Sequence, residues 1–136
     1  MSRKSISGFP ELLPGQRAAE ASVEDTLRRV FELHGFTGIQ TRSVEPHQLR
    51  SDTLGLHFDL TVPLARYVLQ NSNNLVFPFK RYQIQKVWRG ERPQEGRFRE
   101  FTQADIDIVG QNDLGLHHEI EAGEVMLDAF AALGVE

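Results

Sequence analysis

Two alternating stretches, Phe79 to Arg89 and Phe101 to Val109, hold most of the side chains in this sequence that could handle charge. Successive residues of an extended strand point to opposite faces. Arg81, Gln83, Gln85, Val87 and Arg89 therefore share one face of the first, and Phe101, Gln103, Asp105 and Asp107 one face of the second. Taken alone, the polar residues of the second stretch read first as a solvated strand face. The matching face opposite, with Arg89, Gln85 and Gln83, argues for more. If the stretches pair as a hairpin, one surface offers a guanidinium for an anion and carboxylates plus an amide for a cationic or hydrogen-bonding group. Phe101 adds a flat surface for a purine. Such a set suits a zwitterion or an amino acid beside a nucleotide. Asp59 and Thr61, at an expected helix start, supply another carboxylate and hydroxyl, although N-capping explains Thr61 equally well.

Other chemistries find little support. There is no glycine-rich phosphate loop of either common pattern, so phosphate would be held by side chains. The five histidines are scattered or, at His117 and His118, adjacent, and they form no metal-ligand spacing. With no cysteine there is no disulfide framework or thiolate chemistry. The chain has 136 residues, 40% of them hydrophobic, and a net charge of −4, consistent with one domain around one core. No run reaches a membrane span and the first seven residues lack a signal-peptide core, so a cytoplasmic protein is expected. Charge is unevenly placed. From Lys80 to Glu100 there are seven bases (Lys80, Arg81, Lys86, Arg89, Arg92, Arg97, Arg99) against three acids, giving +4, while the remainder sums to −8. A basic segment in an acidic chain fits a localised anion site or a solvated basic hairpin.

The elements that must position these residues follow from periodicity. Pro14 to His34 predicts an amphipathic helix striped by Ala19, Val23, Leu27, Val30 and Phe31 and stopped by Gly35. A strand is expected within Phe36 to Val44, a loop over Glu45 to Thr53, and an extended segment from Leu54 leading into a helix that runs to about Gln70. The polar run Asn71 to Asn74 separates helix from sheet. A charged loop, Glu91 to Glu100, joins the two alternating strands. Leu116 to Leu133 predicts a last helix, with Leu116, Ile120, Gly123, Leu127, Phe130 and Ala131 on one stripe and Gly134 closing it. The order predicts an α+β fold with an antiparallel β-sheet flanked by helices.

The run Tyr82 to Asp107 contains Arg-x-Glu-Arg-Pro-Gln-x-Gly-Arg-x-Arg-x-Phe-x-Gln starting at Arg89, and it resembles motif 2 of class II aminoacyl-tRNA synthetases in their histidyl form. Gly8 to Pro14 resembles that family's lead into motif 1, and Leu56 to Tyr67 its substrate-binding strand and turn. The resemblance implies a motif 1 region at about 8–46, a substrate strand and turn at 54–70 and a motif 2 hairpin at 79–109, all within the N-terminal part of a catalytic domain. Motif 3 and the anticodon-binding domain would be absent, and the link from Glu45 to Leu54 is shorter than the family usually has.

The activity so implied is ATP-dependent activation of histidine to histidyl-adenylate, followed by transfer to tRNA(His). By analogy Arg89 would be catalytic, binding the α-phosphate and also contacting histidine. Glu91, Arg97 and Phe101 would complete the ATP site, and Mg²⁺ would be bound mainly through ATP. Asp59, Thr61, Gln103 and Asp107 would hold histidine. Arg92 and Arg99 would approach the tRNA acceptor end. No side chain is expected to ligate metal. Motif 1 implies a homodimer. This chain alone would activate histidine weakly or not at all. The alternative is a non-aminoacylating paralogue that regulates ATP phosphoribosyltransferase in histidine biosynthesis; a third possibility is a basic hairpin that binds nucleic acid by charge alone.

Overall fold

The computed structural model describes residues 5–47 and 50–135. Residues 1–4 of the start read above, residues 48 and 49 of the expected loop, and residue 136 lie outside them. Helix α1 spans Pro14–Leu33, strand β1 Thr37–Gly38, β2 Val44–His47 and β3 Arg50–Leu56. Helix α2 spans Thr61–Asn71 and is continued by one 3₁₀ turn; β4 (Phe79–Trp88), β5 (Glu100–Val109) and α3 (His117–Leu133) follow.

Helix α1 begins at Pro14, whose missing N–H costs nothing at a first helical position. The Gln16 side chain accepts from the Leu13 amide at 3.0 Å. Gly35, at φ 78°, adopts the left-handed turn that ends the helix, and the Phe36 amide reaches back to Phe31 O at 3.0 Å. Phe31 and Phe36 are buried with Tyr82, Val125 and Ala129, and Leu27, Val30, Ile84, Ile106 and Ile108 pack against them. The core thus lies between α1, α3 and the apolar face of the hairpin. Only the C-terminal half of the α1 stripe reaches it, since Ala19 and Val23 are exposed.

The sheet order is β1-β4-β5. Strands β4 and β5 pair antiparallel over ten residues, with Arg81 opposite Asp107, Gln83 opposite Asp105, Gln85 opposite Gln103 and Val87 opposite Phe101. This is the register that the two alternations require. β1 joins β4 in parallel, so the sheet is mixed where an antiparallel one was expected. Along its outer edge β5 has no strand partner among the described residues.

Three expectations are corrected. The strand expected over Phe36 to Val44 shrinks to two residues, and the Glu45 to Thr53 loop instead takes part in a second sheet in which β2 and β3 pair antiparallel. Pro46 hides that hairpin from a pattern reading, and the register shifts beside it, between Pro46 and His47. The α3 stripe faces outward: Leu116, Ile120, Leu127 and Phe130 are exposed, whereas the smaller Val125 and Ala129 are buried. Small residues let the helix lie close to the sheet, and that contact outweighs the larger stripe. Among the described residues no helix is long and apolar enough to cross a membrane.

Candidate active site

The polar face of the hairpin is built in two halves. Over β4 it is buried. Gln83 Nε2 donates to Thr41 Oγ1 at 2.9 Å and to Gln85 Oε1 at 2.7 Å. Gln85 Nε2 donates to Thr41 O and Ser43 Oγ, so the chain after β1 runs beside β4 as a lid held by side-chain amides. Buried amides are tolerated here because their hydrogen bonds are made within the protein. Arg81 is fully buried too, contrary to the open polar face expected from the sequence. Its Nη1 donates to Gln83 Oε1 at 3.4 Å, and its Nη2 is ion-paired with Asp107.

Over β5 the face is open. A cavity of about 630 Å³ is lined by Thr61, Gln103, Asp105 and Asp107, and by Ala122, Gly123 and Met126 of α3 across the free edge of β5. Three of the four expected histidine-holding residues, Thr61, Gln103 and Asp107, therefore share one concavity. The fourth, Asp59, stands at the start of α2, where its Oδ1 accepts from the Val62 amide at 3.3 Å. Leu60 holds the N-cap position and Thr61 is the first helical residue, so the N-capping expected of Thr61 is not made and its hydroxyl is left to the cavity.

Arg89 lies where β4 runs out, half-buried. Its Nη2 donates to Gln103 Oε1 at 3.2 Å, its Nε to Phe58 O at 3.2 Å, and its guanidinium lies 5.0 Å from the centre of the Phe101 ring. Gln103 in turn donates Nε2 to Asp105 Oδ2 at 2.8 Å. A line of contacts thus runs from the guanidinium to the carboxylates through one amide, whose orientation is set at both ends. The Phe101 face that could stack on a purine here carries Arg89.

The loop from residue 89 to 99 folds back on itself. Gln94 and Arg97 exchange backbone hydrogen bonds at 3.1 and 3.0 Å around Gly96. Glu91 and Arg97 pair at 2.5 Å near the loop tip, and Arg99 Nε donates to Glu91 O at 2.9 Å. Arg92 is exposed, while Arg99 is half-buried against the N-terminal segment. There the amides of Arg99 and Glu100 both donate to Gly8 O, at 2.7 and 3.1 Å. Gly8 is at φ 84°, and a Cβ there would lie 2.8 Å from Arg99 Cγ, so only glycine fits this crossing.

Charge sets the state of these groups. Burial pushes the Asp107 carboxyl above the usual aspartate value, opposed by Arg81 and reinforced by Asp105. On the other face, the Lys86 ammonium and the Trp88 indole N–H hold Glu100 below the usual glutamate range. Burial raises Glu45 as well, but Arg66 and Arg42 pull its carboxyl lower overall. The Arg66–Glu45 pair, at 2.7 Å, ties α2 to β2 and so fixes where Thr61 stands. The family resemblance left Arg81 and Asp105 out of the site. The alternation placed both on the correct face, and their neighbours in the register were the available signal.

Comparison with known proteins identifies relatives of the chain. A family model described as histidyl-tRNA synthetase matches residues 44–136. A histidine--tRNA ligase of Cutibacterium acnes is 54% identical over an alignment of 159 positions that covers 98% of this chain and 35% of the relative. The alignment is longer than the 136-residue chain, so the relative carries residues that this chain lacks. The crystal structure of histidyl-tRNA synthetase from a Nostoc species is 39% identical, with a TM-score of 0.84 over 96% of this chain and 34% of that one. A Bacillus halodurans structure titled as an ATP phosphoribosyltransferase regulatory subunit/histidyl-tRNA synthetase shares the fold at TM-score 0.85 and 20% identity, covering all of this chain and 39% of that one. The chain spans about a third of the length of the relatives it matches. With a family match over residues 44–136 and this identity across nearly the whole chain, the protein belongs to the histidyl-tRNA synthetase family.

Proposed function

We propose that this chain supplies the motif 2 half of a centre that joins histidine to ATP, giving histidyl-adenylate and pyrophosphate, for transfer to tRNA(His). The observation that carries the reading is the shared placement of Arg89, Gln103 and Asp107. The Arg89 guanidinium is linked through the Gln103 amide to Asp105, and Gln103, Asp105 and Asp107 all line the cavity. In the reaction a histidine carboxylate oxygen bonds to the α-phosphorus of ATP as the bond to the departing pyrophosphate breaks. Negative charge grows on the α-phosphate oxygens. Arg89 would meet that charge with its guanidinium, which Phe58 O and Gln103 hold at the end of β4 until it turns to the phosphate. Asp59, Thr61, Gln103 and Asp107 would hold the ammonium and imidazole N–H groups of histidine. Holding both substrates in one geometry turns a bimolecular step into a local one.

Adenine would take the Phe101 face, with Arg89 swinging from the ring to the phosphate. Arg97 would leave Glu91 for the phosphates, freeing Glu91 for the adenine side. Mg²⁺ would arrive with ATP as part of that substrate. Arg92 and Arg99 stand on the loop that would meet the acceptor end. The exposed N-terminal half of α1 is the part of motif 1 available to a second copy in a homodimer. The intact run Arg-x-Glu-Arg-Pro-Gln-x-Gly-Arg starting at Arg89 favours activation over a regulatory role that handles no ATP.

The test replaces the matching third of the Cutibacterium acnes relative with this chain and follows histidine-dependent ATP–pyrophosphate exchange. The chimera should exchange, and R89A within it should lower the rate by about 10²–10³-fold, the loss typical of removing one fixed charge-stabilising donor. The R89A substitution should change stability by less than about 1 kcal/mol, as for a half-exposed side chain. Exchange that survives R89A would refute the reading. The 136-residue chain by itself should exchange weakly or not at all.

A further inference from the structure

We infer that Arg81 is a positioning residue for the proposed histidine site: it keeps Asp107 ionised and turned so that one carboxylate oxygen remains free for the substrate imidazole N–H. The inference rests on the histidine-activating reading above and adds to it a residue from beneath the cavity.

The geometry is unusual for an arginine. Its side chain is completely buried, and taking a guanidinium out of water costs several kcal/mol that only good partners offset. Yet its partners are few. Nη2 faces the Asp107 carboxylate as an ion pair without the alignment of a hydrogen bond, Nη1 reaches Gln83 at 3.4 Å, and Nε has no acceptor among the described residues. So costly and poorly satisfied a cation is a weak source of stability. Its effect on Asp107 is direct. Asp105 and Asp107 stand two residues apart on one face of β5, and two adjacent carboxylates favour protonation of one of them. Asp105 is engaged by Gln103 at 2.8 Å. That leaves Asp107, one third exposed and lining the cavity, with Arg81 as its counter-ion.

The groups facing Asp107 can be named from every side. β4 brings Arg81, β5 brings Asp105, α2 brings the Thr61 hydroxyl, and α3 brings the apolar Ala122 and Met126. Burial and Asp105 both push the Asp107 carboxyl upward, and Arg81 alone pulls it down. Only an ionised carboxylate accepts from imidazole N–H with full strength. An arginine suits the task because it stays charged when buried, where a lysine would lose its proton.

The test is an NMR titration of the aspartate side-chain carboxyl carbons in the 136-residue chain, comparing wild type, R81M and R81Q, each with and without L-histidine. R81Q retains a donor for Gln83 and serves should R81M not fold. Without the cation, the Asp107 midpoint should rise by about one pH unit or more. L-histidine should move the Asp107 resonance of the wild type at pH 7. In the variants its affinity should be about tenfold lower one pH unit below the raised midpoint than one unit above it, where the carboxylate ionises again. A merely structural arginine would weaken binding equally at both pH values, and that result would overturn the inference. An unmoved Asp107 midpoint would overturn it whatever histidine does. A raised midpoint in a chain that ignores histidine would uphold the charge-holding role and count against the substrate reading, so the two fail separately.

Discussion

Replacing Glu121 with glutamine offers a sharp test of how α3 is held against the sheet, and hence of how the far wall of the cavity is placed. Glu121 Oε1 receives the Lys80 ammonium and Oε2 receives His118 Nδ1 at 2.9 Å. Lys80 also donates to His34 O at 2.6 Å and lies 4.8 Å from the centre of the Phe36 ring, so this one ammonium joins β4, the end of α1 and α3. A buried charged hydrogen bond is worth about 1.5–3 kcal/mol. Glu121 and Lys80 are each about a quarter exposed, and solvent screening brings the expected cost of E121Q to about 1 kcal/mol. Glutamine keeps a carbonyl acceptor, and Lys80 keeps His34 O, so neither partner is stranded. For a chain of this length that loss lowers Tm by about 3–5 °C. Lys80 and His118 hold the Glu121 carboxyl below its ordinary value of 4.5. A carboxyl depressed on folding contributes stability that is fully present above its unfolded pKa and is lost as pH falls through the folded one. The Tm gap between wild type and E121Q should therefore be full at neutral pH, begin to shrink below about pH 4.5 and close once the folded carboxyl is protonated. Thermal unfolding followed by circular dichroism across pH measures it. A gap that persists unchanged in acid, or no gap at pH 7, would refute the charge argument.

Two further predictions concern the core and the hairpin base. Phe31 is 1% exposed at the centre of the core, so F31A should cost about 3–5 kcal/mol and leave the chain largely unfolded near its former Tm, as read by near-UV circular dichroism. G8A forces a side chain into a left-handed backbone and against Arg99; it should cost about 1–2 kcal/mol. Hydrogen exchange should then show the Arg99 and Glu100 amides losing protection before the rest of β5.

The parts that the sequence made legible are those where one face buries apolar residues at a regular spacing. The β4–β5 register follows from Tyr82, Ile84, Ile106 and Ile108, because a slip of β5 by one residue would turn Ile106 and Ile108 away from the core that Tyr82 and Ile84 face. Helix α1 was equally plain, with proline at its start and glycine at its stop. The β2–β3 hairpin was not, since Pro46 and charged neighbours erase alternation where neither face is deeply packed. The α3 stripe misled because periodicity marks that a helix has two faces without saying which one the sheet receives. Arg81 shows the same limit in the site: a charged residue reads as a surface residue until its buried counter-ion is placed, and that depends on a partner 26 positions away.

The free edge of β5 also governs how this chain behaves in concentrated solution. Ten residues of partly exposed strand with one side unpaired are a template onto which a foreign strand can add. β5 carries Glu100, Asp105 and Asp107 and no basic residue, so two such edges approaching each other bring like charges together. At neutral pH those carboxylates oppose the pairing of two such edges. Acid removes that protection, and Asp107, already pushed upward by burial, is placed to lose its charge early. The acids of β5 thereby oppose edge-to-edge aggregation, and protonation weakens that opposition.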